Sequence, residues 1–374
     1  MVAATKILIN RALDVTGLDD LGPDGWQEGL EHLVTAVERD VRDDLDAVTR
    51  IEALIVARLS TRLRIEAWLA EHGQDAVAPI EGPLVILGLP RTATTALHYL
   101  LAVDPQFRYL RSWEVNDPVP PPRLETEHDD PRRPTGPLTV DVRHISSVDG
   151  PAEDWPIHAF AFDHAELTLP VPSHSAWWRS ADHASLFPYH ERVLRLLHTH
   201  RPPHRWLLKM PAYLFLIRQL TAHYPDARFV MTHRDPVAAV ASTCSTVSDA
   251  RRKRTPSWSP EPEFGERLLA HWADGMRRAM EARVALGEDR FIDIAQHDLE
   301  ADSAAVAQQV YDFAGLTLTP DLREKMQDWA SANRRGSRGD HRYHPEDFGL
   351  NESWISDAFT QYAERFGEYC GIGL

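Results

Sequence analysis

The feature that most constrains the fold is a pattern of strand, tight turn and helix that recurs along the chain. Four short apolar runs have the length and composition of buried parallel strands, at 84–87, 206–208, 228–231 and 290–294. Helical patterns follow three of these runs, at 95–103, 236–248 and 299–314. The alternation predicts an α/β fold with a central parallel sheet flanked by helices. Such sheets bind ligands at the carboxyl ends of their strands, so the residues just after each run are the candidates for a site.

The residues before the first strand follow a different pattern. Apolar residues recur every three or four positions through 27–72, which predicts a helical hairpin. We therefore divide the chain into an N-terminal helical extension at 1–80 and an α/β domain at 81–374. The Pro-rich, charged stretch 114–140 and the polar stretch 249–263 are predicted to be irregular and are candidate lids. The basic run 251–254 is expected to be a solvated face.

Charge and composition exclude several classes of protein. The 374 residues include 40 Lys and Arg and 56 Asp and Glu, which gives a net charge of −16. This acidic balance argues against a nucleic-acid partner. Two cysteines are too few for a disulfide framework or a zinc site. The longest apolar run, 83–89, is far shorter than the roughly 20 residues needed to cross a bilayer. We therefore expect a soluble, cytoplasmic protein that binds any anionic ligand through a local cationic pocket.

The loop after the first strand, GLPRTATT at 88–95, has the composition of an anion-binding loop. It lies between a strand and a helix, where free backbone N–H groups and the helix dipole favour an anion. Compared with the phosphate loop G-x-x-x-x-G-K-[ST], Ala93 replaces the second Gly and Thr94 replaces the Lys. Without that Lys, the loop suits a single 5′-phosphate and not a metal-bridged triphosphate. The alternative is a capped helix start in which Thr92 or Thr94 satisfies backbone N–H groups.

A second group of polar residues follows the run 228–231. Arg234 stands at the predicted strand end, and Ser242 lies two turns along the helix that Pro236 begins, with Asp235 as its N-cap. A guanidinium and a hydroxyl at this edge could hold a second phosphate. The alternative is that Arg234 pairs with a neighbouring carboxylate and that Ser242 is a helix-surface residue.

Together these segments resemble the sulfotransferase family that uses 3′-phosphoadenosine-5′-phosphosulfate (PAPS). The family loop P-[KR]-[ST]-G-[ST]-[ST], which binds the 5′-phosphosulfate, corresponds to 90–95, with Ala93 at the usual Gly. The family's Arg and Ser eight positions apart, which hold the 3′-phosphate, correspond to Arg234 and Ser242. The resemblance covers residues 80–370 and implies the P-loop NTPase-like sulfotransferase fold. The nucleotide-binding residues that it implies in the loop are Arg91, Thr92, Ala93, Thr94 and Thr95.

A third motif near the C-terminus matches the R-K-G-x-x-G-D-W of cytosolic members, with His341 in the place of Trp. Glycines and cations together make a flexible loop that can clamp an anion. The residues that this motif adds to the implied nucleotide site are Arg334, Arg335, Gly336, Arg338 and Gly339.

The resemblance implies in-line transfer of a sulfuryl group from PAPS, which is released as 3′-phosphoadenosine-5′-phosphate (PAP), to an acceptor hydroxyl, with no metal. Arg91 stands in the place of the family's loop lysine, and Lys209 matches a family lysine at a strand end. Both are expected to stabilise the negative charge that builds up in the transition state. The alternative role of Lys209 is a salt bridge.

The general base stays open among Glu114, Glu153 and His341. Cytosolic members use a His two residues after the strand-end Lys, where this chain has Pro, and related bacterial proteins often have a His at the position of Tyr213. Glu114, which follows a predicted strand at 108–110, fits the Glu that glycan and some bacterial sulfotransferases use, or else forms an ion pair with a nearby Arg. Glu153 lies in a P-x-E-[DE] pattern typical of bacterial members.

The acceptor is expected to be a small, apolar, hydroxylated molecule such as a phenol, steroid, lipid or polyketide alcohol. The aromatic residues that could line its pocket, or else belong to the core, are Trp155, Phe160, Phe162, Trp177 and Trp178. The partners implied are PAPS and this acceptor, with no nucleic acid and no membrane span, and a homodimer is left open.

Two other functions stay open at this stage. A P-loop kinase or nucleotidase would need a Lys in its loop and an acidic metal ligand, for which Asp293 is a weak candidate. A catalytically silent nucleotide-binding protein of the same fold is compatible with Ala93 and Tyr213. His233 and His271 lack metal-ligand spacing, so we expect no metal site.

Overall fold

The computed structural model describes residues 3–73, 80–134, 147–201, 205–333 and 344–372. The strands are β1 (Leu84–Gly88), β2 (Phe107–Arg108), β3 (Arg205–Lys209), β4 (Arg228–His233) and β5 (Phe291–Ala295). The helices are α1 (Ala3–Thr16), α2 (Gln27–Asp40), α3 (Leu45–His72), α4 (Thr94–Leu101), α5 (Ser112–Asn116), α6 (Trp155–Phe160), α7 (Pro172–Trp178), α8 (Leu186–His198), α9 (Ile217–His223), α10 (Pro236–Arg254), α11 (Phe264–Leu286), α12 (Gln296–Ala301), α13 (Ser303–Ala314), α14 (Pro320–Ala332), α15 (Glu352–Ala358) and α16 (Thr360–Cys370). Short 3₁₀ turns lie at Glu127–Asp129, Pro211–Phe215, Glu288–Arg290 and Pro345–Phe348.

The strands form one parallel sheet in the order β2-β3-β1-β4-β5. This confirms the predicted central parallel sheet flanked by helices. β1 lies at its centre, between β3 and β4, so the loop that follows β1 opens between the ends of two neighbouring strands. β2 lies one residue earlier than its predicted start and ends at Arg108.

Both faces of the sheet are covered, which explains why the strands are apolar throughout. Successive side chains of a strand point to opposite faces. Val85 and Leu87 accordingly join the apolar cluster formed with α8, α9 and α11, whereas Leu84 and Ile86 join the cluster formed with α4, α13 and α14. The sheet is therefore sandwiched between two helical layers.

The N-terminal helices pack on the α/β body. The helical prediction over 27–72 is confirmed by α2 and α3, with a turn between them, and α1 packs beside α3. Their apolar cluster also includes Phe162, Leu169 and Val171, which follow α6. Buried Arg58 of α3 forms an ion pair with buried Glu166. The expected division at residues 80 and 81 stays a prediction.

The prediction of an irregular, mobile 249–263 is wrong over its first part, because α10 continues to Arg254. The expectation of a solvated face at 251–254 is wrong for Arg251, which is buried. Its Nε donates to the carbonyl of Leu167 at 2.8 Å, and its guanidinium lies over the ring of Trp258. An arginine can be buried in this way because its stem is apolar and its head stacks on aromatic faces.

Two further segments differ from the predicted boundaries. Of the predicted irregular stretch 114–140, residues up to Asn116 belong to α5, the rest of its described part is irregular except for one 3₁₀ turn, and 135–140 lie outside the described residues. The predicted helix 299–314 is divided at Asp302, whose side chain caps α13. Within the described ranges, no helix combines the length and the apolar character that a membrane crossing requires.

Candidate active site

The loop after β1 has three residues with positive φ, and only one of them is a glycine. Gly88 has φ +147°, and a Cβ there would lie 2.5 Å from the carbonyl oxygen of Thr232, so only glycine fits. Arg91 and Ala93 also have positive φ, at 70° and 69°. Left-handed steps of this kind can turn successive backbone N–H groups toward one side, an arrangement that suits an anion at the start of a helix.

Thr92 holds this loop from within. Its side chain is fully buried, donates to the carbonyl of Leu89 at 2.7 Å and lies 2.6 Å from the hydroxyl of Thr232 on β4. The hydroxyl of Thr92 thus stabilises the loop conformation. The helix start itself has no side-chain cap, because Ala93 occupies the N-cap of α4.

The two predicted phosphate-binding elements lie side by side. Arg91 Nε donates to Oγ of Ser242 at 3.1 Å, and Arg234 Nη1 donates to the carbonyl oxygen of Arg91 at 3.0 Å. Asp235 caps α10 by accepting from the N–H of Val237 at 2.9 Å, as predicted. Ser242 is buried on α10, so it is not the helix-surface residue of the alternative interpretation.

A third group meets the loop from the end of β3. Lys209 Nζ donates to Oγ1 of Thr95 at 3.1 Å and to Oε1 of Glu153 at 2.5 Å. The lysine is buried, whereas the side chain of Glu153 is 35% exposed. Lys209 therefore does form the salt bridge that was its alternative role, but its partners are a loop hydroxyl and one of the three candidate bases. The loop, a cation and a carboxylate are in direct contact.

Asp154 contacts the backbone of Lys209, and it was not identified as a site residue from the sequence. Its carboxylate accepts from the hydroxyl of Tyr213 and lies 3.4 Å from the backbone N–H of Lys209. His190 Nε2 lies 3.7 Å from the same carboxylate. Burial raises the pKa of Tyr213 well above its ordinary value, so Tyr213 remains a neutral donor. The adjacency of Asp154 to Glu153 was visible in the sequence, but nothing there related either residue to Tyr213.

Glu114 lies in different surroundings from Glu153. It is fully buried, and its carboxylate oxygens lie 2.8 Å from Arg108 Nη2 and 2.7 Å from Arg111 Nη2. Burial raises the pKa of Glu114, but the two guanidinium groups outweigh this and hold it below its ordinary value. This is the ion pair that the sequence left open as the alternative to a general base. Glu114 also accepts from the backbone N–H of Arg111 and so anchors the segment between β2 and α5.

The C-terminal motif lies outside the described residues, and its members therefore stay predictions: Arg334, Arg335, Gly336, Arg338, Gly339 and His341. Thr94 begins α4 and is buried, as expected for the first helical residue of an anion-binding loop.

The aromatic residues proposed for an acceptor pocket are divided between core and surface. The buried members of the group are Phe160, Phe162 and Trp178. Trp178 donates to Asp163 at 2.7 Å, and Phe162 packs with the N-terminal helices. Trp155 and Trp177 are partly exposed, so only these two can face a ligand from this group.

Asp293, the candidate metal ligand of a kinase-like site, is engaged in an ion-pair network. Arg283 donates to both its oxygens at 2.6 and 2.9 Å, and His233 Nε2 lies 2.8 Å away. Burial raises the pKa of Asp293, but these cationic and hydrogen-bonding neighbours lower it to about 2. Both carboxylate oxygens of Asp293 thus accept hydrogen bonds from Arg283, which link β5 to α11. Across the described ranges, His, Cys, Asp and Glu side chains form no cluster of three or more suited to a metal ion.

Comparisons with known proteins agree with the fold and with the order of its elements. The profile of the Sulfotransferase family matches residues 83–321. Sulfotransferase STF9 from Mycobacterium avium superposes with a TM-score of 0.87 at 28% identity, and the match covers 96% of each chain. Sulfotransferase STF1 from Mycobacterium tuberculosis H37Rv superposes with a TM-score of 0.82 at 28% identity, over 96% of this chain and 99% of that one. A search of curated protein sequences finds no match.

The family profile spans β1, its loop, Lys209 and the Arg234 element, which are the parts that meet in the structure. The match to the two mycobacterial enzymes extends over the N-terminal helices as well, since it covers nearly the whole chain. By the extent of this match and by its fold, the chain belongs to the sulfotransferase family.

Proposed function

We propose that this protein transfers a sulfuryl group from PAPS to the hydroxyl of a small acceptor by in-line displacement. The observation that carries the proposal is the hydrogen bond between Arg91 and Ser242, because it makes the β1 loop and the α10 element neighbours. PAPS has a phosphate on each side of one ribose, so its binding needs two anion sites a few ångströms apart. Membership of the sulfotransferase family supports the reaction class.

The described residues fit such a donor. The backbone N–H groups of 91–95, at the start of α4, would hold the 5′-phosphosulfate, with Arg91 as the cation of the loop. Arg234 and Ser242 would hold the 3′-phosphate. The glycine- and arginine-rich segment 334–339 stays in the proposal as a further clamp on the nucleotide.

PAPS supplies the sulfuryl group, and the protein stabilises its transfer. Arg91 and Lys209 would stabilise the negative charge on the sulfuryl oxygens and on the oxygen that bridges to the nucleotide. The sulfur–oxygen bond to the nucleotide breaks as one forms to the acceptor oxygen. The hydroxyl proton of the acceptor must then pass to a base on the protein.

We propose Glu153 as that base. Its carboxylate is partly exposed and touches Lys209, which in turn touches the loop, so an acceptor hydroxyl beside it would face the sulfuryl group. Glu114 is enclosed by Arg108 and Arg111 and has no exposed surface, which favours a structural role. Asp154, held by Tyr213, would position Glu153 and Lys209.

A titration of the full chain with PAP and with ATP·Mg²⁺ tests the donor. We expect PAP to bind and ATP·Mg²⁺ to bind far more weakly, because the loop lacks the Lys for a triphosphate. Binding of ATP·Mg²⁺ without binding of PAP would overturn the proposal in favour of a kinase or nucleotidase. Transfer of label from PAPS to phenols, steroids and lipid alcohols then separates an enzyme from a silent nucleotide-binding protein.

A further inference from the structure

Arg254, the last residue of α10, is a partly buried cation that lies over an aromatic ring. Its guanidinium lies 5.7 Å from the centre of the Trp155 ring. Within the described residues, no carboxylate lies within ion-pair distance of it, and the neighbouring acid Glu166 is already paired with Arg58. Burial lowers the pKa of Arg254. A partly buried guanidinium without a carboxylate partner can bind an anionic group of a ligand.

His164 contributes a second incomplete group at the same ring. Its imidazole stacks on Trp155 with a centroid distance of 5.7 Å and an interplanar angle of 28°. Nδ1 is buried and has no hydrogen-bond partner among the described residues. A buried polar atom without a partner destabilises the structure, so a ligand that supplies the partner gains affinity. Arg254 and His164 thus both lie beside the ring of Trp155.

These groups lie near Glu153, the proposed base. Trp155 follows Glu153 by two residues, so their Cα atoms are at most about 7 Å apart. Arg254 lies twelve residues beyond Ser242 on α10, about 18 Å along the helix axis. That distance places Arg254 well away from the proposed 3′-phosphate element and leaves it near the base.

We propose that the acceptor carries an anionic group, with a carboxylate as the simplest case, and that Arg254 binds this group with His164 as a second donor. Trp155 packs against the apolar part of the molecule between its hydroxyl and its anion. This inference rests on the proposed function and narrows the acceptor from an apolar alcohol to an amphipathic hydroxy acid.

Matched acids and esters test the inference. The probes are 4-hydroxyphenylpropionic acid and 12-hydroxydodecanoic acid, each paired with its methyl ester, and their binding to the PAP-saturated full chain is measured by calorimetry. We expect at least one acid to bind tenfold or more tightly than its ester, because only the acid offers an anion to Arg254. Equal affinity within both pairs would overturn the inference.

Substitutions assign the preference to its residue. Arg254→Gln should abolish the preference for the acid, and Arg254→Lys should keep part of it. Arg252→Gln is the matched control, since Arg252 is exposed on the same helix and pairs with Asp249. A preference that survives Arg254→Gln, or that is lost equally in the control, contradicts the proposal.

Measurements of PAP binding distinguish a failure of the proposed function from a failure of the inference about the acceptor. Arg254→Gln should bind PAP as the unaltered protein does. A loss of PAP affinity in this variant would place Arg254 in the nucleotide site and overturn the inference. Failure of the unaltered protein to bind PAP defeats the proposed function, whereas tight PAP binding without a preference for acids defeats the inference alone.

Discussion

Arg91 and Ser242 are 151 positions apart in the chain, yet Arg91 Nε donates a hydrogen bond to Ser242 Oγ at 3.1 Å. The sheet explains the contact. β1 and β4 are paired in parallel with Gly88 opposite Thr232, so the β1 loop and the turn into α10 leave the sheet at the same level. Parallel pairing of two strands therefore brings to one edge of the sheet the two segments that we propose to bind the phosphates of the donor.

Replacing Arg234 tests the 3′-phosphate element. Arg234→Ala should weaken PAP binding by about 1.5–3 kcal/mol, the usual contribution of a hydrogen bond to a charged group. Isothermal titration with PAP measures the change. The variant also loses its bond to the carbonyl of Arg91, so thermal unfolding should accompany the titration.

The control for this variant is Arg252→Ala, which removes an exposed arginine from α10, the helix that follows Arg234. We expect its PAP affinity to stay within twofold of that of the unaltered protein. Similar losses of PAP affinity in both variants would indicate an effect of the overall electrostatic field of the protein, and not a direct contact between Arg234 and PAP.

Replacing Glu153 tests the general base. Glu153→Gln should leave PAP binding and folding nearly intact and lower turnover by roughly 10²–10⁴-fold, the usual contribution of a positioned base. Glu153→Asp, which keeps the carboxylate on a shorter side chain, should restore part of the turnover. A variant with full turnover would remove Glu153 from the base role.

Replacing Glu114 should lower the stability of the protein, whereas replacing Glu153 should lower its turnover. Glu114→Gln leaves the buried Arg108 and Arg111 without their counter-charge, so we expect a loss of about 3–5 kcal/mol in the free energy of unfolding. Urea denaturation measures it. A variant of normal stability with greatly reduced turnover would restore Glu114 as the base.

Ala93 occupies a backbone conformation that favours glycine. At φ 69°, a residue with a Cβ such as Ala93 raises the free energy of the fold by about 1–2 kcal/mol. Glycine avoids this strain, but part of the benefit is lost because glycine has more conformational freedom in the unfolded chain. We therefore expect Ala93→Gly to raise the free energy of unfolding by about 0.5 kcal/mol. Ala96→Gly, inside α4, should lower it by about 1 kcal/mol. The same sign for both changes in urea denaturation would contradict this account.

The ion pair between Arg58 and Glu166 should make stability depend on acid pH. Burial raises the pKa of Glu166, but Arg58 and His164 outweigh this and lower it from 4.5 to about 2. A carboxyl group with a lowered pKa stabilises the fold above its unfolded pKa, and this contribution is lost as the pH falls from about 4.5 toward 2. It amounts to roughly 3 kcal/mol.

Glu166→Gln should therefore be less stable than the unaltered protein at pH 7, and the difference should shrink as the pH approaches 2. Urea denaturation across this range measures both proteins. Glu52→Gln is the control, because its pair with Arg11 is exposed and should contribute under about 1 kcal/mol. Parallel pH curves for Glu166→Gln and the unaltered protein would contradict the assignment.

Local patterns predicted most of the fold correctly. The apolar runs at 84–87 and 228–231 became β1 and β4, since burial on both faces of a sheet requires apolar residues throughout a strand. The helix after 236 began at its predicted cap, because Asp235 and Pro236 act through neighbouring backbone groups. Its end was missed, because Arg251 continues the helix by burying its head against Trp258, which no local pattern shows.

What the sequence by itself determined is the class of the fold and the position along the chain of the two segments that we propose to bind the donor, since both depend on residues a few positions apart. Only the tertiary structure decided which carboxylate contacts Lys209, the lysine that touches the loop. Glu114 and Glu153 were comparable candidates, but Glu114 lies between two buried arginines, whereas Glu153 contacts Lys209 beside Thr95. The reason is physical. The role of a charged side chain depends on its neighbours in space, and here those neighbours come from separate strands.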